Sequence, residues 1–236
     1  MGSKKWKKHI PSDPSSFRRP KGSKRPALAI LIVTEGEVTE PVYFEVLKQK
    51  LALPTVEITV VGAGKGDPRR LAEAALEERK KRKRDNKQGT LALSKAPDFD
   101  EMWIVFDTDV PVEHGKFHDG VAFAEASGVK IADNSPCFEY WLLLHLDYTT
   151  APMERFSDVK PRLVKALSHD YAKNCKESAK LIPPLVEKFR IAMERAGQVR
   201  SHHEGAGTAP PANPSTNVDL LVKAIQDAVS PANKSV

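Results

Sequence analysis

Two short acidic stretches decide the predicted fold of this chain. They are Ile30-Leu31-Ile32-Val33-Thr34-Glu35-Gly36-Glu37 and Met102-Trp103-Ile104-Val105-Phe106-Asp107-Thr108-Asp109. Each begins as an uninterrupted apolar run, which is typical of a strand buried on both faces in the parallel sheet of an α/β domain. Each then ends in carboxylates, and the ligands of such sheets gather beyond the carboxyl ends of the strands. Provided that the two strands are neighbours, Glu35, Asp107 and Asp109 face one crevice.

This predicted crevice concentrates negative charge. Asp107 and Asp109 are two residues apart, so in an extended chain their side chains point the same way. Two unit charges about 4 Å apart repel each other by roughly 4 kcal/mol at an effective dielectric constant of about 20. Such a cluster requires a divalent cation or shared protons, and we favour the cation. Carboxylate oxygens suit Mg²⁺ or Mn²⁺ better than zinc, so Glu35, Asp107 and Asp109 are the predicted metal ligands.

Size and composition predict a globular protein of the cytoplasm. The 236 residues are 40% hydrophobic and 29% charged, which allows one large domain with an ample core. The sequence shows neither an apolar run of about 18 residues, as a membrane helix requires, nor a secretory apolar segment at its start. Its cysteines are Cys137 and Cys175, which predicts free thiols in a reducing compartment.

The first 25 residues carry most of the excess positive charge. They hold nine Lys or Arg and one Asp, a net charge of +8, which leaves 28 basic and 30 acidic residues, or −2, for the remainder. Because this segment is also rich in Pro and Ser, we predict a disordered basic tail. It contacts a phosphate backbone or serves only as a solubilising arm, and the sequence leaves both interpretations open.

The folded part begins with a strand–helix–strand–helix order, which predicts a doubly wound α/β sheet. The first helix is predicted to start with Thr39 as its N-cap, and the second with Asp67 as cap before Pro68. The glycine-rich turn at residues 62–66 matches neither a Walker A loop nor a dinucleotide fingerprint, so we interpret it as a tight turn. Its Lys65 remains a candidate phosphate contact.

A basic run ends the second predicted helix. Seven of the nine residues at positions 79–87 are Lys or Arg, more than a helix C-terminus needs to complement its dipole. We therefore predict a nucleic-acid contact that attracts the backbone without reading the base sequence. With Lys65, the candidate contacts are Arg79, Lys80, Lys81, Arg82, Lys83 and Arg84.

A fourth strand, at residues 129–132, leads into a buried apolar helix at about residues 137–146, with Ser135 predicted as its cap. Glu139 in the first turn either complements the helix dipole or acts as a further metal ligand or base. Residues 151–236 are helical by pattern and are predicted to pack on a catalytic domain at residues 26–150. Within them, His169, Tyr171 and Lys173 form a candidate contact for a substrate phosphate.

Several motifs together resemble a known family. A strand ending in Glu35-Gly36 and another ending in Asp107-Thr108-Asp109 are similar to the Toprim pattern of topoisomerases, primases and OLD-family nucleases. The combination of these motifs with Thr39-Glu40-Pro41, the 134–145 segment and Asn213-Pro214-Ser215-Thr216 resembles the RloB-like family. This resemblance covers roughly residues 27–229. It implies a Toprim-like, mostly parallel sheet flanked by helices.

The resemblance also implies a function. RloB-like proteins are regarded as Toprim-type nucleases of prokaryotic anti-phage defence, often encoded beside an ATPase partner. We therefore expect a Mg²⁺- or Mn²⁺-dependent phosphodiesterase acting on DNA or RNA, with Glu35, Asp107, Asp109 and Glu139 as catalytic residues. By the same resemblance, Glu35 acts as a metal ligand or as the general acid or base. A homo-oligomer is a further partner hypothesis.

Two other classes of function compete with this prediction. A non-catalytic nucleic-acid-binding or effector subunit of a defence complex would bind nucleic acid without cleaving it. A primer-synthesising Toprim enzyme would depend on nucleotides. A topoisomerase is disfavoured, because the chain has no convincing nucleophilic tyrosine motif and no room for a gate domain.

Overall fold

The computed structural model describes residues 28–52, 56–63, 67–88, 98–108, 114–208 and 212–228. Over these residues the chain forms a five-stranded sheet with helices on both faces. The strands are β1 (Leu28–Thr34), β2 (Val56–Gly62), β3 (Glu101–Asp107), β4 (Val129–Ser135) and β5 (Ser215–Thr216). The helices are α1 (Thr39–Leu51), α2 (Pro68–Gln88), α3 (His114–Ala126), α4 (Phe138–Leu144), α5 (Phe156–Leu167), α6 (Lys176–Ala179), α7 (Ile182–Val186), α8 (Phe189–Gly205) and α9 (Val218–Asp227).

The sheet order is β2-β1-β3-β4-β5. The first four strands are parallel, and β5 pairs with β4 in the antiparallel direction. This order confirms the predicted α/β class with a mostly parallel sheet. It also makes β1 and β3 direct neighbours, so the segments that follow them start at the same edge of the sheet.

Alternate residues of the central strands contribute their side chains to two hydrophobic cores, one on each face of the sheet. On one face, Ile30 and Ile32 of β1 pack with residues of α1, α4 and the C-terminal helices. On the other face, Leu31 and Val33 pack with α2 and α3. Burial on both faces explains why β1 and β3 are continuous apolar runs in the sequence instead of alternating ones.

The C-terminal helices belong to the first of these cores. Val159 of α5, Val199 of α8 and Leu221 of α9 lie in the same buried cluster as β1 and α4. The predicted helical region therefore packs directly on the sheet. Among these helices, α8 extends as far as Gly205. The predicted tail at residues 1–25 lies outside the described residues.

Two of the predicted helix caps are wrong. Thr39 is the first residue of α1 instead of its cap, and the N-cap residue is Val38. Ser135 ends β4, and α4 begins at Phe138 after Cys137. Asp67 does cap α2, since its Oδ1 accepts the N–H of Arg70 at 2.9 Å. None of the helices in the described ranges combines the length and apolar character that crossing a bilayer requires.

Candidate active site

The carboxyl ends of β1 and β3 bring two of the predicted acidic residues together. β1 pairs with β3 up to Thr34 and Val105, and the Glu35 N–H then donates to the Val105 carbonyl at 2.9 Å. The Glu35 carboxylate in turn accepts the backbone N–H of Asp107 through Oε2 at 3.1 Å. Glu35 and Asp107, 72 positions apart in the chain, are thus in contact at one edge of the sheet. Asp109 lies outside the described residues.

Asp107 is the most constrained carboxylate at this edge. Its side chain is 4% exposed. Oδ1 accepts the N–H of Phe138, the first residue of α4, at 2.8 Å, and Oδ2 accepts a hydrogen bond from Lys173 Nζ at 2.5 Å. Burial raises the pKa of Asp107 well above its usual range. The Lys173 charge opposes this shift, and the neighbouring Glu139 and Glu40 carboxyls add to it.

Glu139 reaches the same place from the first turn of α4. The residue is 1% exposed, and its Oε1 accepts the hydroxyl of Tyr171 at 3.1 Å. Its Oε2 has no hydrogen-bond partner among the described residues, and the Lys173 ammonium lies 3.9 Å away. A buried carboxylate oxygen without a donor is costly, so this atom is poised to accept a ligand.

Glu40, in the first turn of α1, is a fourth carboxyl at this edge of the sheet. It is 3% exposed and accepts the Gly36 N–H at 3.1 Å. Burial raises its pKa to about 7, partly offset by hydrogen bonding and augmented by Glu139. The contact also explains Gly36, because a Cβ at that position would lie 1.9 Å from Glu40 Oε2. Glu37, by contrast, is exposed.

Lys173 supplies the positive charge among these carboxyls. It lies on the loop at residues 168–175, between α5 and α6, and its side chain is 29% exposed. Burial lowers the pKa of Lys173, but the Asp107 and Glu139 charges outweigh this effect and raise it. Tyr171, on the same loop, is buried with its hydroxyl on Glu139 and 3.4 Å from Thr39 Oγ1. The loop is therefore anchored to the site by a residue other than Lys173.

The donor atoms suit a hard divalent cation. Asp107 Oδ2 and Glu139 Oε2 are carboxylate oxygens, the ligands that Mg²⁺ and Mn²⁺ prefer. In the part of the chain that the structure describes, no three His, Cys, Asp or Glu side chains are grouped closely enough to hold a metal ion. The chemistry and burial of Asp107 Oδ2 and Glu139 Oε2 suit such a cation, but among the described residues only these two oxygens lie around the Lys173 ammonium.

The residues of this site lie within a segment that matches a known protein family. A family model described as RloB-like protein matches residues 30–225. The chain belongs to the RloB-like protein family. The match confirms the family inferred from the motifs and spans both the sheet and the C-terminal helices. No curated protein and no solved structure compared with the chain matches it.

The predicted nucleic-acid contacts on α2 of this RloB-like protein lie toward the opposite end of the sheet from the carboxylates. α2 starts at the carboxyl edge and runs back, so that Arg82 pairs with Glu57 near the start of β2 at 2.7 Å. Arg79 and Lys83 pair with Asp98, which precedes β3, at 2.9 and 3.1 Å. A seven-residue strand separates the two edges by about 20 Å. The basic run and the carboxylates therefore do not form one continuous site.

Arg82 is the least exposed of the predicted contacts on α2. Its side chain is 9% exposed, and its guanidinium lies 4.2 Å above the Phe99 ring while pairing with Glu57. It is a buried structural residue with little surface for a phosphate. Lys80, Lys81, Lys83 and Arg84 remain exposed, although each forms a salt bridge with a nearby carboxylate. Lys65 lies outside the described residues.

Proposed function

We propose that this RloB-like protein is a metal-dependent nuclease that hydrolyses phosphodiester bonds of DNA or RNA. The observation that carries the proposal is that Glu35 contacts Asp107 at the carboxyl edge of a parallel sheet, while Asp107 and Glu139 both lie beside the Lys173 ammonium. Asp107 and Glu139 are buried together around a single ammonium, so the pair retains unneutralised negative charge. A buried excess of carboxylates is the setting in which proteins hold divalent cations.

We propose a separate role for each of these residues. Asp107 and Glu139 would hold Mg²⁺ or Mn²⁺ through their carboxylates, and Asp109, outside the described residues, stays a predicted ligand. When bound, such an ion would polarise the scissile phosphate and lower the pKa of an attacking water. Glu35, oriented by the Asp107 N–H, is a ligand or the general acid or base. The N–H of Phe138 and the hydroxyl of Tyr171 fix the two buried carboxylates.

The biological setting is proposed from the family. We place this nuclease in a prokaryotic anti-phage defence system, with a partner ATPase controlling its activity. The free thiols of Cys137 and Cys175 support a reducing, cytoplasmic setting. The exposed lysines of α2 and the basic residues 1–25 supply sequence-independent attraction to nucleic acid.

Cleavage of end-labelled DNA and RNA with Mg²⁺ or Mn²⁺ tests the proposal. Glu35→Gln and Asp107→Asn keep a carbonyl oxygen for the Asp107 and Phe138 N–H groups but remove the charge. We expect each to lower the cleavage rate by about 100-fold or more. Asp227→Asn, an exposed carboxylate on α9, is the matched control and should cleave at the parent rate. Equal cleavage by all four proteins would exclude Glu35 and Asp107 from the reaction.

Two observations favour a second candidate function. The Lys173 ammonium already neutralises Asp107, and the described residues contain no group of three metal ligands. Both features suit a non-catalytic nucleic-acid-binding or effector subunit. That function predicts metal-independent nucleic-acid binding without cleavage, unchanged in Asp107→Asn.

A further inference from the structure

We propose that Lys173 is an internal counter-ion that competes with the divalent cation, so that the metal binds only when the ammonium leaves Asp107 and Glu139. This inference rests on the proposed function, because it concerns the same carboxylates. Nζ lies 2.5 Å from Asp107 Oδ2 and 3.9 Å from Glu139 Oε2. These are the two oxygens that would hold the cation.

The ammonium and a divalent cation exclude each other at this position. A metal bound to Asp107 Oδ2 would lie about 2.1 Å from an oxygen that Lys173 contacts at 2.5 Å. Like charges at such separations repel strongly in a buried site. The negative charge of Asp107 and Glu139 therefore stabilises either the Lys173 ammonium or the divalent ion, but not both at once.

The loop that carries Lys173 allows this exchange without unfolding. Tyr171 fixes the loop, since it is buried and donates its hydroxyl to Glu139. Lys173 itself is partly exposed on a flexible four-carbon stem, so its head group can swing away while Tyr171 stays in place. The Phe156 ring, 6.0 Å from Nζ, offers an aromatic face beside this path.

The exchange has a functional consequence. A displaced Lys173 ammonium would remain next to the bound metal, within reach of a phosphate oxygen. A substrate phosphate that attracts Lys173 would release the carboxylates and so strengthen metal binding. By linkage, bound metal would strengthen phosphate binding by the same factor. Lys173 thus couples metal loading to the arrival of a phosphodiester substrate.

A Mn²⁺ titration without nucleic acid tests the inference. Free Mn²⁺ is measured by electron paramagnetic resonance for the parent, Lys173→Met and Lys180→Met. Lys173→Met keeps the aliphatic stem and removes the charge, and Lys180 is an exposed control at the C-cap of α6, paired with Glu177. We expect Lys173→Met to bind Mn²⁺ about ten-fold more tightly than the parent, within the usual range of coupling between two ligands. Lys180→Met should match the parent.

Equal or weaker Mn²⁺ affinity in Lys173→Met would overturn the inference, and so would an absence of Mn²⁺ binding in both proteins. If Lys173→Met fails to fold, Lys173→Gln replaces it, because its amide can still donate to Asp107. The two proposals fail separately. Parent cleavage with Mn²⁺ but no affinity gain in the variant removes only the counter-ion role, whereas an affinity gain without any cleavage removes only the nuclease.

Discussion

The two ends of the sheet carry opposite charges, which are largely exposed at the amino end and buried at the carboxyl end. At the amino end, the cations of α2 form salt bridges at the surface, as with Lys83 and Asp98 at 3.1 Å. At the carboxyl end, Asp107 and Glu139 are almost completely buried around one ammonium. The basic run is the more conspicuous feature of the sequence, yet its charges are largely paired by neighbouring carboxylates. In this protein, a run of charged residues in the sequence is therefore a weaker indication of a functional site than charged side chains that the fold buries.

Exposure to water explains why ion pairs at the two ends contribute differently to the free energy of unfolding. An exposed salt bridge contributes about 0–1 kcal/mol, because water screens it and the long side chains lose freedom. A buried pair stabilises little in total, but removing one partner leaves an isolated charge and costs several kcal/mol. The four predictions below test whether the ends differ in this way.

The largest effect is expected from Lys173→Ala. This change leaves the buried Asp107 without its ammonium, and we expect the free energy of unfolding at pH 7 to fall by about 3 kcal/mol. This is the low end of the range for a broken buried pair, because Asp107 can take up a proton. Urea unfolding followed by circular dichroism measures the change.

Lys83→Ala is the matched control at the other end of the sheet. Its side chain is 52% exposed and pairs with Asp98, so we expect a loss of at most about 1 kcal/mol. Similar losses in both variants would remove the contrast between the two ends.

The second prediction concerns the pH dependence of stability at the carboxyl end. In the folded protein the pKa of Glu40 is about 7, whereas its ordinary value is 4.5. Between these values the folded state binds more protons than the unfolded state, so this residue makes stability fall as pH rises from about 4.5 to about 7. The full effect is about 3 kcal/mol.

Glu40→Gln isolates this contribution. Glutamine can still accept the Gly36 N–H but does not titrate. We expect the variant and the parent to be equally stable near pH 4.5 and the variant to be more stable by about 3 kcal/mol at pH 8. Urea unfolding at the two pH values provides the test, and parallel pH profiles would show that Glu40 ionises normally in the fold.

The sheet was largely predictable from the sequence, because each strand is specified by a pattern of consecutive residues. The apolar runs of β1 and β3 require burial on both faces, and their abrupt acidic ends locate Glu35 and Asp107 at one edge. The role of Lys173 was not predictable, because it depends on how a loop 66 positions after Asp107 folds back over the site. Sequence analysis could propose Lys173 only as a phosphate contact. The burial of Arg82 was not predictable for the same reason, since it depends on contacts with Phe99 and Glu57 elsewhere in the chain.

The third prediction tests how tightly the turn after β1 is packed. In Gly36→Ala the new Cβ would lie 1.9 Å from Glu40 Oε2, so the buried Glu40 side chain has to move. Overpacking of this kind costs about 1–3 kcal/mol of unfolding free energy. In Gly197→Ala, within α8, nothing lies within 4 Å of the new Cβ. That control should be stabilised by about 0.5–1 kcal/mol, and destabilisation of both proteins alike would contradict the packing at Gly36.

The smallest effect on stability is expected at the exposed face of α2. Lys81 is 59% exposed and pairs only weakly with Glu78 at 3.6 Å, so Lys81→Gln should change the unfolding free energy by no more than about 0.5 kcal/mol. Its effect on nucleic-acid binding is a separate measurement. If Lys81 contacts a phosphate, the slope of log affinity against log salt concentration falls by about 1 in a fluorescence-anisotropy titration with duplex DNA. An unchanged slope would assign Lys81 to the solvated surface and restrict phosphate attraction to other basic residues.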